Sequence, residues 1–322
     1  MRIRDLILRS LAHFRRTHLG VTIGAACAAA VLVGALAVGD SVRLSLRDQA
    51  MARIGGIDIA LVGGERFFRS ELAKEMVQDP EADDAWNTLT IAPCLQLQGF
   101  AKISGTQTKT GIVQTLGVDE RFFALAPADR HLRAPAAGKA YVSAHLANQL
   151  DLQPGASFLL RIEKPSLLPR DLAMATIEDV SFALPLEVEE VLSDDDFGRF
   201  GLNASQIPPG NVFLSLPWLQ EQLELQGRAN LLLIGGSSDI DGLLARADRS
   251  LRQCWSLADA ELAIRVLESS NSFELTSDRV FLEAPVIEAM TAIEPKVLGI
   301  LSYFVNALTS QDRSTPYSTV CA

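Results

Sequence analysis

The sequence predicts an α+β protein: one N-terminal transmembrane helix with a helical stalk, followed by a mixed α+β extracytoplasmic domain. Three observations predict it. Leu19–Gly39, LGVTIGAACAAAVLVGALAVG, runs 21 residues without a charge. As a helix it spans roughly 31 Å, close to the hydrocarbon thickness of a bilayer. Ser41–Ile54 follows with no helix breaker and stops at Gly55-Gly56. Beyond it, strand-like and helix-like pieces alternate irregularly, several strands in a row, which suits α+β layers better than a doubly wound parallel sheet.

The expected organisation is a cytoplasmic amphipathic segment (1–18), a transmembrane helix (19–39), a helical stalk (40–56) and an extracytoplasmic domain (57–322). Residues 1–19 hold five Arg against Asp5, a net of +4, so the overall −10 leaves −14 for the rest. Basic residues before the span place the N-terminus in the cytoplasm. Arg43, Arg47 and Arg53 after it weaken that asymmetry without reversing it. An acidic body argues against a nucleic-acid partner, which needs clustered cations. The chain is 48% hydrophobic and 21% charged, the balance of a folded protein.

The leader of 18 residues and the long core distinguish the run from a signal peptide, whose core holds about 7–15 apolar residues. It reads as an uncleaved anchor, although ALAVG before Asp40 also resembles a small-residue cleavage site. Gly20, Gly24 and Ala28 lie four apart and share one helical face. That face lets a partner helix approach closely; equally, Ala and Gly are simply common in membrane helices. Before the run, IRDLILRSLAHFRR (Ile3–Arg16) has a broad apolar face that includes Leu6, Leu8, Leu11 and Phe14, with Arg between. It reads either as a docking element for a cytoplasmic partner or as a passive interfacial helix. In the stalk, Val42, Leu46, Ala50 and Ile54 form an i, i+4 row, and a continuous helix there carries motion that a flexible linker would lose.

The body begins with a strand at Ile57–Val62 and a helix at Glu65–Val77, ended before Pro80. Strand-like runs follow at Thr88–Ile103 and Gly111–Gly117, then a Pro/Ala/Arg loop at Pro127–Lys139. Ala140–Val142 predicts a strand, Ser143–Leu150 a helix, Asp151–Gly155 a turn and Ser157–Ile162 a strand. Pro165–Arg170 reads as a loop and Leu186–Leu192 as a strand. Asp194-Asp195-Asp196 could bind calcium, but no downstream carboxylate pattern follows, so a solvated acidic turn is expected. Asn211–Ser215 is a strand and Trp218–Leu225 a helix started at Pro217. Asn230–Ile234 is a strand. Ser238–Trp255 is a helix capped by its Ser and Asp. Strands at Glu261–Leu267, Ser272–Leu275 and Arg279–Leu282, a helix from Pro285 to near Ile293, and a strand at Leu298–Ala307 complete the chain.

Catalytic signatures are missing. The sequence has no G-x-x-x-x-G-K-[ST], no G-x-S-x-G and no H-E-x-x-H. His131 and His145 have no nucleophile or metal partner by spacing and read as structural or solvated. Of the four cysteines, Cys27 lies in the apolar run, and Cys94, Cys254 and Cys321 are widely spaced with no C-x-x-C. Neither a disulfide scaffold nor a zinc site is indicated; a single Cys94–Cys254 bridge remains open. No enzymatic role, cofactor or metal is expected.

Several stretches resemble the N-terminal part of ABC-transporter permeases of the FtsX/MacB type, with their MacB-like periplasmic core domain. GDSVRLSLRDQAMARIGGIDIALVGGERFF (Gly39–Phe68) looks like the junction from first membrane helix to outer domain. AYVSAHLANQLDLQPGASFLLRI (Ala140–Ile162) is similar to the family's strand–helix–turn–strand unit. NVFLSLPWLQEQLELQGRANLLLI (Asn211–Ile234) resembles its later strand–helix–strand unit, and LSYFVNALTSQDRSTPYSTV (Leu301–Val320) a tail found in a large-domain subgroup. Their order along the chain carries the match. Family members continue into further membrane helices, whereas this chain stops at Ala322, so the domain is expected to be incomplete at its C-terminus.

The resemblance implies a permease subunit, or its N-terminal fragment, that transmits ATPase-driven motion to an extracytoplasmic domain for export or lipoprotein release. It implies a separate cytoplasmic ATP-binding subunit, contacted through Leu6, Leu8, Leu11 and Phe14. It also implies other transmembrane helices or a second permease copy against Gly20, Gly24 and Ala28, all within the lipid bilayer of an inner membrane. The chain taken alone supports a different reading, a single-pass anchored extracytoplasmic binding or sensor module. A third reading is a secreted enzyme with a cleaved leader.

Overall fold

The computed structural model describes residues 3–79, 84–103, 109–127, 130, 132–163, 181–203, 209–237, 240, 242–268, 271–277, 279, 282–300, 302–310 and 313–321. Helix α1 (Ile3–His13) passes through Phe14 into helix α2 (Arg15–Ile54). Phe14 leaves helical geometry, yet its N–H donates to the Ser10 carbonyl at 2.9 Å and its carbonyl accepts from His18 N–H at 3.0 Å, so the turn stays hydrogen-bonded. The apolar run and the stalk form one helix of 40 residues, about 60 Å at 1.5 Å per residue. None of its residues is buried. Among the described residues it is the one helix long and apolar enough to cross a membrane. Gly55 ends it at φ 55°, its N–H donating to the Met51 carbonyl at 3.0 Å. Glycine suits that place because, with no Cβ, it takes a positive φ without a steric clash.

The domain that follows is mixed α+β. Its strands are β1 (Ile57–Val62), β2 (Phe68–Arg69), β3 (Thr90–Ile103), β4 (Lys109–Val118), β5 (Lys139–Ser143), β6 (Ser157–Glu163), β7 (Ser181–Leu192), β8 (Gly210–Ser215), β9 (Arg228–Ala229) and β10 (Leu231–Gly235). Between them lie α3 (Leu72–Val77), α4 (Asp84–Asn87), α5 (Glu120–Phe123), α6 (Ala144–Leu150) and α7 (Leu216–Gln222), with α8 (Leu243–Cys254) after β10. Eight strands join in the order β1-β10-β3-β4-β8-β5-β7-β6, and β6 pairs back onto β3. The six strands from β3 to β6 therefore close a ring, and β10 and β1 extend from the first half of β3. The pairs β4–β8 and β5–β7 are parallel and the other ladders antiparallel.

Strand alternation sorts the core. Leu95, Leu97 and Ala101 of β3, Phe158, Leu160 and Ile162 of β6 and Leu184, Leu186 and Val188 of β7 share one cluster. Leu146 and Leu150 of α6 and Leu216 and Leu219 of α7 join it. β10 splits its side chains: Leu231 and Leu233 face an aromatic cluster, Leu232 and Ile234 face α3 and α8. Two polar residues stitch the strands. Ser143 caps α6 and accepts from Asn211 N–H at 3.0 Å. Buried Asn230 donates to the carbonyls of Gly64 and Gln96 at 2.7 and 2.8 Å and accepts from Gln96 N–H at 2.7 Å.

A second compact unit begins at Glu261. In it β11 (Leu262–Leu267) and β12 (Ser272–Ser277) form a hairpin, with Ile264 opposite Leu275, Val266 opposite Phe273 and Arg265 opposite Glu274. Helix α9 (Ala284–Ile293) starts with Pro at its first turn, and β13 (Ser302–Ser310) pairs antiparallel with β14 (Arg313–Cys321).

Several expectations need correction. The helix expected over Glu65–Val77 shrinks to α3, because Phe67 and Phe68 are buried and Phe68-Arg69 pairs with Ala229-Arg228 as strand. Helix α8 starts at Leu243 from a left-handed Gly242, while Ser238 and Asp239 lie outside the described residues. Arg279 and Leu282 are not in a strand, and Val280 and Phe281 lie outside the description, as does the loop expected at Pro165–Arg170. The last apolar strand begins at Ser302 rather than Leu298, where its pairing with β14 begins.

Candidate functional site

The structural feature that joins the long apolar helix to the sheet is the turn from α2 into β1. Gly56 N–H donates to the Leu125 carbonyl at 2.9 Å, and Gly236 N–H donates to the Gly56 carbonyl at 3.2 Å. A Cβ on Gly55 would lie 2.6 Å from the Leu125 carbonyl oxygen and 2.8 Å from the Phe197 ring. Gly235, opposite Ile57 in the β1–β10 ladder, has its Cα hydrogens against the Gly56 backbone. Backbone meets backbone here because no side chain intervenes. Two glycine pairs that look in sequence like a helix stop and a strand end are the two halves of one joint.

Leu125 is set by α5. Asp119 caps that helix, accepting from Arg121 N–H at 3.0 Å, and Leu125 N–H donates to the Phe122 carbonyl at 3.1 Å. Phe122 is the hub of an aromatic cluster. Its ring centroid lies 4.9 Å from Phe197, 5.1 Å from Phe200, 5.3 Å from Phe123 and 5.7 Å from Phe213. These are tilted and edge-on contacts, the arrangements that ring quadrupoles favour. Burying each such ring stabilises the fold by about 1.5–3 kcal/mol. Ile57 of β1 belongs to the same cluster. The end of the long helix is thus seated on this aromatic cluster.

The acidic turn borders this cluster. Residues Asp194–Asp196 form one 3-10 turn. Asp194 and Asp195 are exposed, as expected, but Asp196 is buried, which corrects the picture of a wholly solvated turn. Its Oδ2 accepts from Ser193 Oγ at 2.8 Å and from Arg130 Nη1 at 3.1 Å, while Arg130 Nη2 donates to Glu190 at 2.6 Å. Asn211 holds the following residues, its Nδ2 donating to the carbonyls of Gly198 and Phe200 at 3.2 and 2.9 Å. Among the described residues no group of three His, Cys, Asp or Glu could hold a metal ion.

A second polar knot lies where the chain leaves α8. Arg69 Nη2 and Nε donate to Asp259 at 2.8 and 3.0 Å, and Nη1 and Nη2 donate to Glu75 at 2.7 and 2.9 Å. Asp259, whose side chain is 0% exposed, also accepts from Arg69 N–H and from Ser256 N–H and Oγ. Burial alone raises the Asp259 pKa, but the bonds from Arg69 and Ser256 outweigh it and leave it lowered. Burial pushes the Cys94 thiol well up, keeping it protonated and unreactive. Cys94 and Cys254 are free thiols, Cys94 in the aromatic cluster and Cys254 against the α3–α8 cluster.

The structure places Gly20, Gly24 and Ala28 on α2, all exposed, with open space where a Cβ on Gly20 or Gly24 would lie. Leu6 and Leu11 are exposed on α1 and Phe14 is exposed between the helices; Leu8 lies on α1, its side chain outside the description. These two groups stand apart along the helix pair, and neither is part of the joint at Gly55. His145 sits on α6, and His131 lies outside the described residues. The joint was missed because Leu125 and Phe197 are remote from Gly55 in sequence; the paired glycines at 55–56 and 235–236 were its available signal.

No protein-family model and no curated protein matches the chain. Among solved structures, one similar to it is the extracellular domain of the noncanonic ABC-type transporter YknZ from Gram-positive bacteria. That likeness has 10% identity and a TM-score of 0.35, and covers 66% of this chain and 90% of that one. Another is the periplasmic region of MacB from Actinobacillus actinomycetemcomitans, at 8% identity and a TM-score of 0.36, covering 74% of this chain and 96% of that one.

Proposed function

We propose that the chain is a permease subunit of an ABC transporter, or the N-terminal portion of one, of the FtsX/MacB type. It passes motion driven by a separate cytoplasmic ATP-binding subunit from the membrane into an extracytoplasmic domain, for export or lipoprotein release. The observation that carries this reading is α2: 40 residues without a break, none buried, ending on a backbone joint in the sheet. A tether would need neither the continuity nor the joint. Helix continuity transmits displacement because each further turn is held by its own i to i−4 bonds. The ordered family-like stretches from Gly39 to Val320 support the same reading.

In this reading the N-terminus lies in the cytoplasm of an inner membrane and the sheet lies outside it. Leu6, Leu8, Leu11 and Phe14 form the contact with the ATP-binding subunit. Gly20, Gly24 and Ala28 receive another transmembrane helix or a second copy, since small residues let backbones approach within the bilayer. The chain itself performs no bond chemistry.

Affinity capture of the full chain from native membranes tests the partner. An ATP-binding subunit should copurify, and Leu6→Asp with Leu11→Asp should cut its recovery about tenfold, by placing charge in an apolar contact. Recovery of the chain without any ATP-binding protein would contradict the reading.

A further inference from the structure

Phe197 has a backbone conformation its side chain does not favour. Its φ is 66° and ψ 16°, in the left-handed region, where a bulky residue is a genuine outlier. The other non-glycine residues with positive φ among those described are Asp151, Glu224, Glu261 and Asn271, all polar. Phe197 alone is apolar, and it is 0% exposed. Such a conformation persists only where its surroundings over-determine it, and outliers of this kind gather at switches and clamps.

The surroundings here are identifiable. On the N-terminal side, Asp196 is fixed by Ser193 and by Arg130, which is itself held by Glu190. On the C-terminal side, Gly198 N–H donates to the Ser193 carbonyl at 2.8 Å, and Asn211 takes the carbonyls of Gly198 and Phe200. A Cβ on Gly198 would lie 2.5 Å from the Ser193 carbonyl oxygen, so the turn closes that tightly only with glycine. The result is that the Phe197 ring is driven against the Cα of Gly55, the first of the two glycines between α2 and the sheet.

We propose that Phe197 is a positioning residue that latches the end of α2 to the sheet, with the Asp196–Arg130 pair and Asn211 as the catch that keeps it in place. Closed, the latch fills the space Gly55 would need in order to swivel. Opened, it removes the ring that packs against Gly55 and leaves the Gly56–Leu125 and Gly236–Gly56 bonds in place. This deepens the reading above and rests on it for the purpose of the joint; the latch itself is tested on the chain alone, so either can fail without the other.

The test is hydrogen–deuterium exchange on the full chain in detergent micelles, comparing wild type with Phe197→Ala and Asp196→Asn. Phe197→Ala should speed exchange of the amides from Met51 to Ile57 about tenfold, and Asp196→Asn should speed the same amides about threefold. Amides of β8 and β10 should keep their wild-type rates. Unchanged exchange at Met51–Ile57 in both variants would overturn the latch. So would equal acceleration throughout the sheet, which would make Phe197 an ordinary core residue.

Discussion

Asp259 shows at the scale of one residue how the polar knots set stability. Its folded pKa lies below its unfolded value of about 3.9, because bonds from Arg69 and Ser256 outweigh burial. A lowered carboxyl stabilises the fold above the unfolded pKa, and that contribution is lost as pH falls through the folded pKa. Urea midpoints of the wild type should therefore fall as pH drops below about 4. Asp259→Asn should flatten that descent and cost about 1–3 kcal/mol at pH 7, a partly exposed Arg69 tempering the loss. A midpoint that falls as steeply in Asp259→Asn as in the wild type would contradict this role. Little of this was legible beforehand. Arg69 and Asp259 are remote in sequence, and nothing local tells a buried carboxylate from a solvated one. The same limit hid Asp196 in a run of three aspartates.

At the scale of elements, long local patterns were legible and contacts between them were not. The charge-free run and its breaker-free extension gave α2, and Gly55-Gly56 gave its end. Ile57–Val62 was readable from alternation and its glycine boundary. Ser143–Leu150 was readable as a helix from its Ser cap, with Asp151–Gly155 closing it as a turn. Glu65–Val77 failed because tertiary burial of Phe67 and Phe68 overrode helix propensity, and α5 failed because four residues carry too little periodicity. The continuity of α2 is itself testable. Leu46→Pro removes one helix bond and clashes with the preceding turn, at about 3 kcal/mol or more, all of it local. Trp86, Trp218 and Trp255 all lie in the sheet domain, so tryptophan fluorescence reads that domain alone. Its urea midpoint should be unchanged by Leu46→Pro, while any transport activity is lost. A lowered midpoint would mean that the stalk supports the fold rather than transmitting motion.

At the scale of the whole molecule, the class was legible and the closure was not. Irregular alternation announced α+β, yet the six-strand ring depends on β6 returning to β3 and on β4 meeting β8 in parallel. Those are non-local pairings that no short pattern encodes. The second unit keeps apolar Ile264, Val266 and Phe273 exposed on its hairpin. What organises the larger unit is the path from the long apolar helix to the aromatic cluster through Gly55. Rigidity along that path is the central claim, and the distance between stalk and sheet tests it most directly. Spin labels at Gln49 on α2 and Gln98 on β3, with Cys27, Cys254 and Cys321 replaced by serine, would be read by double electron–electron resonance in lipid discs. A single narrow distance population is predicted, broadened by Phe197→Ala. A broad distribution in the wild type would contradict a rigid joint and leave α2 a tether.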